Sequence, residues 1–138
     1  MIDCLFCSIA EKKIPAKIIY EDERVVSFMD IAPANSGHLL VVPKMHYQDI
    51  EDIPDNALQE LIIRVKKMAK VLGKISQGVN IVQNNKKAAG QAVDHVHFHV
   101  IPRYETDTLQ FWKSGKYGSE DDMDKIANKL KNIISEMN

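Results

Sequence analysis

Cysteine is scarce in this chain. Two residues in 138 are too few for a disulfide scaffold, so a reducing compartment, the cytoplasm, is the expected location. Excess charge is missing as well: 18 Lys and Arg stand against 19 Asp and Glu, a formal net charge of −1. That balance removes the electrostatic basis for a dedicated nucleic-acid binder, while a small anionic ligand needs only local positive potential. No apolar run approaches the roughly 20 residues that a membrane span requires. The opening M-I-D-C-L-F-C has no basic flank leading into a long apolar stretch, so no signal peptide is expected. Internal repeats and low-complexity tracts are also wanting. What is present is material for one core: 45% of residues are hydrophobic, in a chain of single-domain length.

Five short runs rich in Val, Ile, Phe and Tyr, bounded by Gly, Pro, Asn and Asp, read as strands over 17–20, 25–30, 38–43, 79–84 and 95–101. Residues 31–37, with Pro33, Asn35 and Gly37, read as a loop. Helical spacing is clearest over about 54–72, where Leu58, Leu61, Ile62, Val65, Met68, Ala69 and Leu72 share a face. Pro54 suits its first turn and Gly73 the residue past its end. Arg64, Lys66, Lys67, Lys70 and Lys74 read as its solvated side rather than an anion site. A second helix is expected over about 120–136, capped by Ser119, with Asp121 and Asp122 at its positive end. Its buried stripe would be Met123, Ile126, Ala127, Leu130, Ile133, Ile134 and Met137. Hairpin-linked strands with one helix inserted and one appended indicate an antiparallel α+β fold. Residues 106–118 fit neither period; with Phe111, Trp112 and Tyr117 they suggest a loop that lies on something, such as another subunit.

The five histidines fall in three places: His38, His46, and the run D-H-V-H-F-H-V-I-P-R containing His95, His97 and His99. Strand side chains alternate, so these three share one face while Val96, Phe98 and Val100 share the other. One such histidine would read as an ordinary exposed residue. Three, alternating with core residues, form a polar ridge that a sheet has no packing reason to carry. Two chemistries fit: ligation of a catalytic metal, or a nucleophilic imidazole oriented by its neighbours. The pair Cys4 and Cys7, as C-L-F-C, supplies two of the four ligands of a tetrahedral ion. Redox use is the competitor, but such pairs usually follow a strand at the start of a helix, and no strand precedes this one.

Together, A-G-Q-A-V and H-V-H-F-H-V-I-P-R at 89–103, G-H-L-L-V-V-P-K-M-H at 37–46, F-M-D-I-A-P at 28–33 and I-P-A-K-I-I-Y-E-D at 14–22 resemble the histidine-triad (HIT) family. The blocks keep the family's order over about residues 1–104; the resemblance says little of 105–138, a variable C-terminal loop and helix. It implies a single HIT-like domain over 1–138, with an antiparallel sheet of about five strands and two main helices. It implies a hydrolase that cleaves at the α-phosphate of nucleotide conjugates, such as dinucleoside polyphosphates or nucleoside phosphoramidates. The reaction would pass through a nucleotidyl-histidine and release a nucleoside monophosphate. By position His97 would be the nucleophile, His99 would contact phosphate and assist the leaving group, and His38 would support the orientation of His97. Asn84 and Gln91 would bind phosphates, Asp30 the ribose hydroxyls, and Phe6, Ile9, Phe28, Ile31 and Leu40 the base of a purine nucleotide. The zinc-containing members imply one structural zinc on Cys4, Cys7, His46 and His95. The family also implies a homodimer whose C-terminal segment reaches toward the partner's active site. Ala92 departs from the Ser or Thr that some members carry, and His99 stands where the related nucleotidyltransferases have Gln, which favours water as the acceptor. The competing function is a zinc-stabilised nucleotide-binding or scaffolding module with little turnover. A hydrolase with its catalytic metal on the triad is a third.

Overall fold

The Val- and Ile-rich runs assemble into one antiparallel sheet. In the computed structural model, which describes residues 3–110 and 112–137, its strands are β1 (Ile18–Glu21), β2 (Val25–Met29), β3 (Leu39–Pro43), β4 (Gly78–Gln83) and β5 (Phe98–Arg103). They lie in the order β1-β2-β3-β5-β4. All of β3 and the first four residues of β2 are buried, because both faces of the central sheet are covered. On one face α2 (Asp55–Leu72) inserts Leu61, Val65, Met68 and Leu72 among Val25, Leu39, Val41, Val96, Phe98 and Val100. On the other, α1 (Leu5–Ala10) sets Phe6 and Ile9 on Val26, Phe28, Leu40 and Val42. Adjacent residues of one strand thus serve two cores, as the pleat requires.

The α+β fold agrees with the sequence reading, and strand limits mostly differ by one residue. The larger difference is at the histidines. Pairing of β3 with β5 stops at Val41 opposite Phe98, so His95 and His97 precede the strand. There the N–H of Val96 donates to the carbonyl of Tyr47 (2.7 Å) instead of to a neighbouring strand. α1 has no counterpart in the sequence reading; six residues are too few to display a helical period. Cys4 is its N-cap. Pro54 caps α2 from outside, and Gly73 ends it in a right-handed conformation (φ −62°) that does not require glycine.

Two further expectations need correction. Arg64 is not on a solvated face: its Nε donates to Asp22 (2.9 Å), it also bonds Glu60, and Lys67 lies 4.2 Å from the Tyr20 ring centroid. These contacts fasten the β1–β2 hairpin to α2. Burial opposes ionisation of Asp22, but hydrogen bonds from Arg24, Arg64, Tyr20 and Val25 outweigh it and hold the carboxyl well below the usual range. Second, α3 (Glu120–Glu136) is capped by Ser119 as expected, through the Asp122 N–H at 3.1 Å, yet buries none of its residues. Leu130 is 54% exposed and Ile134 67%. The period announces an apolar stripe; it does not supply the surface that covers it. Phe111 lies outside the described residues.

Candidate active site and metal centre

The sheet face that carries α1 also carries the histidines, and their chemistry is set by which ring nitrogen holds the proton. Nδ1 of His97 lies 2.7 Å from the carbonyl oxygen of His95. A carbonyl only accepts, so Nδ1 carries the hydrogen and Nε2 keeps its lone pair. Phe6 meets the His97 ring edge-on, with centroids 5.0 Å apart at 85°, and His99 stands 5.0 Å away on another side. Burial pushes the His97 pKa down, against the pull of the His95 carbonyl and of Asp30. The imidazole is therefore neutral at pH 7, as a nucleophile must be.

His38 and His99 form a second unit. The backbone N–H of Ala34 donates to Nδ1 of His38 (3.0 Å), which fixes the His38 hydrogen on Nε2. That Nε2–H donates to Nδ1 of His99 at 2.9 Å, so His99 in turn carries its hydrogen on Nε2, its outward nitrogen. His38 thus orients His99, not His97 as the family comparison suggested; the carbonyl of His95 has that role for His97. Burial lowers the pKa of His99 to about 4, helped by the neighbouring His97 and His38 and opposed by Asp30. Asp30 stands 3.6 Å from His38 Nε2 and accepts the Ala32 N–H at 2.8 Å. Asp30, His38 and His99 bring ligand atoms within 4.8 Å of one another, which is close enough for a cation. Their hydrogen bonds argue against one, since the facing nitrogens of the two imidazoles are engaged with each other.

His99 gives the fold a pH response. Its folded pKa of about 4 is below the 6.5 of an unfolded histidine, so between those values the unfolded chain binds the extra proton. That contribution to stability is intact above pH 6.5 and is lost as pH falls toward 4. Urea midpoints of the wild type and His99→Gln, compared from pH 7 to 4.5, should show a shallower fall in the variant. Parallel curves would refute this.

A separate cluster forms at the start of α1. Cys4 Sγ and Cys7 Sγ lie 3.4 and 3.5 Å from Nδ1 of His95, and Cys7 Sγ lies 3.4 Å from Nδ1 of His46. The four ligand atoms fall within 4.8 Å of one another. His95 is wholly buried, and its Nε2 lies 2.8 Å from the carbonyl of Pro43, to which it donates. Nδ1 is thereby left with its lone pair toward the thiols, the outer-shell arrangement typical of a ligating histidine. Burial holds His95 neutral, with a pKa lowered to about 4, and pushes the Cys7 thiol up to about 11. Two sulfurs and two imidazole nitrogens around one point fit a closed tetrahedral zinc site.

Of the expected base pocket, Phe6, Ile9, Phe28 and Leu40 come together, while Ile31 is 99% exposed on the loop after β2. Asn84 lines a cavity of about 430 Å³ with His38, Val82, Ala89, His99, Ile101 and Trp112. Gln91 departs from its expected role: its Oε1 accepts the Lys86 N–H (2.7 Å) and its Nε2 donates to the Gln48 carbonyl (2.7 Å). Both ends of the amide hold the loop after β4, which bends through positive φ at Lys86 (70°) and Gly90 (89°). Sequence reasoning missed the groups that select the tautomers, namely Ala34 N–H and the carbonyls of Pro43 and His95. Backbone N–H and C=O groups recur along the whole chain, proline lacking only the N–H, so no side chain announces them. It also put Trp112 with Phe111 and Tyr117 in a loop lying on something such as another subunit, whereas Trp112 lines the cavity beside His38 and His99.

This geometry, a neutral buried imidazole tied through Nδ1 and a second imidazole beside it, suits a nucleophilic histidine site, and residues 11–106 match the HIT domain model. The chain belongs to the HIT family. It is 49% identical to an uncharacterized HIT-like protein of Methanocaldococcus jannaschii, over 93% of this chain and 98% of that one. It is 36% identical to an adenosine 5'-monophosphoramidase of Candida albicans, over 97% of this chain and 93% of that one. A zinc-bound histidine triad family protein of Mycobacterium smegmatis superposes with a TM-score of 0.75 at 34% identity, covering 96% of each chain.

Proposed function

We propose that this chain is a nucleotidyl hydrolase that cleaves nucleotide conjugates at the α-phosphate, with nucleoside phosphoramidates as the preferred class and dinucleoside polyphosphates as the wider one. The observation that carries the reading is the 2.7 Å hydrogen bond from His97 Nδ1 to the His95 carbonyl, which leaves a neutral Nε2 lone pair beside a second imidazole. A module that only bound nucleotides would have no use for an oriented nucleophile. Relatives named as adenosine 5'-monophosphoramidases point to the same chemistry.

In the first step His97 Nε2 attacks the α-phosphorus. The bond to the leaving nitrogen or oxygen breaks, and that atom takes a proton from His99 Nε2. In the second step water attacks the phosphorus and gives its proton to His99 Nε2, restoring the hydrogen lost in the first step, while the bond to His97 breaks and a nucleoside monophosphate leaves. Asp30 offers acceptors to the ribose hydroxyls; Phe6, Ile9, Phe28 and Leu40 flank the base, with Ile31 at the edge; Asn84 contacts phosphate from the loop after β4. Zinc on Cys4, Cys7, His46 and His95 would cross-link α1 to the His95 segment and take no part in these steps. Steady-state kcat/KM across adenylyl conjugates differing only in leaving group tests the reading. Hydrolysis of the phosphoramidates to AMP is expected, and tight binding without turnover would mark a binding or scaffolding module instead.

The proposal extends to one HIT-like domain over 1–138, a cytoplasmic location and a two-fold dimer. Among the described residues nothing covers the apolar stripe of α3, and Ile62, Ile63, Val71, Ile75 and Ile81 are each at least 42% exposed around α2 and β4. A second copy is the occupant these surfaces suit. Sedimentation at micromolar concentration should give twice the 15.7 kDa chain mass, since a standard interface holds at that concentration. A 15.7 kDa species would defeat the dimer.

A further inference from the structure

Beyond the triad, one carboxylate collects an unusual number of donors. Asp107 Oδ2 accepts from Arg103 Nε (2.9 Å), Asn35 Nδ2 (3.0 Å) and the Tyr104 N–H (2.8 Å). Its Oδ1 accepts from Arg103 Nη2 (2.7 Å) and the Leu109 N–H (3.1 Å). Arg103 also reaches Asn80 on β4 (2.6 Å) and the Leu109 carbonyl (2.7 Å). The Asp107 side chain is only 10% exposed, and the Arg103 guanidinium holds its carboxyl well below the usual range.

Their link to the site is Asn35. Besides Asp107, its Nδ2 donates to the Pro102 carbonyl (3.0 Å), so the loop between β2 and β3 is pinned to the end of β5. That loop supplies two groups to His38: the Asn35 carbonyl accepts the His38 N–H (3.0 Å), and the Ala34 N–H donates to His38 Nδ1 (3.0 Å). The second bond selects the His38 tautomer, and this tautomer hands its Nε2–H to His99. We infer that Arg103, Asp107 and Asn35 are positioning residues for leaving-group protonation, acting through the Ala34 N–H and His38 to keep the His99 hydrogen on its outward nitrogen. The inference rests on the hydrolase reading given above. Without the clamp, Ala34 N–H drifts from His38 Nδ1, the His38 proton is free to move between its nitrogens, and His99 loses its fixed acceptor bond. Each of these is a change of proton location, distinct from a loss of fold.

The test uses the full-length enzyme and Asn35→Ala, which removes both Nδ2 bonds and keeps the backbone contact to His38. Long-range proton–nitrogen correlation spectra of ¹⁵N-histidine-labelled, ligand-free protein report each tautomer directly. Wild type should show His38 and His99 protonated on Nε2, and the variant a tautomer mixture at His38. In turnover, Asn35→Ala should lose about tenfold or more in kcat with an alkylamine leaving group and far less with a nitrophenolate, at nearly unchanged KM. Asp107→Glu should recover part of what Asp107→Ala loses. Should Asp107→Ala not fold, Asn35→Ala alone decides. A wild-type His38 tautomer in folded Asn35→Ala, or an equal loss across leaving groups, overturns the inference. Absence of turnover by the wild type would instead defeat the hydrolase reading, leaving the tautomer spectrum as an independent test of the clamp.

Discussion

His97→Ala should lose nearly all turnover, by a factor of roughly 10⁴ to 10⁶, the span seen when a member of a catalytic unit is removed. Among the described residues, the attacking nitrogen has to be both neutral and unbonded, and the hydrogen bonds leave His97 Nε2 in that condition while His95 Nδ1 faces the two thiols. His99 is a poor substitute, because its Nδ1 is engaged by His38 and its Nε2 carries the hydrogen. Nucleotide affinity should change little, since Asp30, Asn84 and the apolar wall of Phe28 and Leu40 remain. Splitting one displacement into two lets a covalent phosphoramidate accumulate when the second step is slow. Rapid quench under basic conditions, followed by digestion and mass spectrometry, should find an acid-labile nucleotidyl adduct on a peptide containing His97. An adduct on another residue, or near-normal turnover by His97→Ala, would show the assignment to be wrong.

Metal removal is expected to have the largest effect on stability. Protein purified without added zinc should carry one equivalent per chain, and Cys4→Ser should lose it. An ion that binds only the folded site stabilises it by about 4 kcal/mol when present at a thousandfold its dissociation constant. For a domain near this size that corresponds to roughly 8–16 °C in melting temperature. The ring of His95 faces the thiols while its carbonyl holds His97, so the metal-free protein should also have a less ordered nucleophile. Metal analysis combined with calorimetry before and after chelation provides the check. Substoichiometric zinc that does not change in Cys4→Ser, or an unchanged melting temperature after chelation, would sink the prediction.

Several features of this protein were determined by the sequence alone. Apolar runs bounded by turn residues located five strands, because β-branched residues bounded by Gly, Pro and Asn have few alternatives. The stripe Leu61, Val65, Met68 and Leu72 located the face of α2 that lies on the sheet. The alternation of H-V-H-F-H and the pair C-L-F-C singled out the residues to ask about, and the family resemblance joined Cys4 to His95, 91 positions away, whose ring nitrogen lies 3.4 Å from the sulfur. Only the tertiary structure decided the rest. Gln91 reads as a phosphate ligand until its amide is found bonded to Lys86 and Gln48. Arg64 reads as a solvated cation until the hairpin carrying Asp22 is placed beside it. The stripe of α3 reads as core, yet among the described residues none of it is buried. Above all, the proton positions that separate a nucleophile from an acid depend on backbone groups at Ala34, Pro43 and His95. A sequence lists side chains, whereas tautomers are set by whichever N–H or C=O the fold brings within about 3 Å of a ring nitrogen.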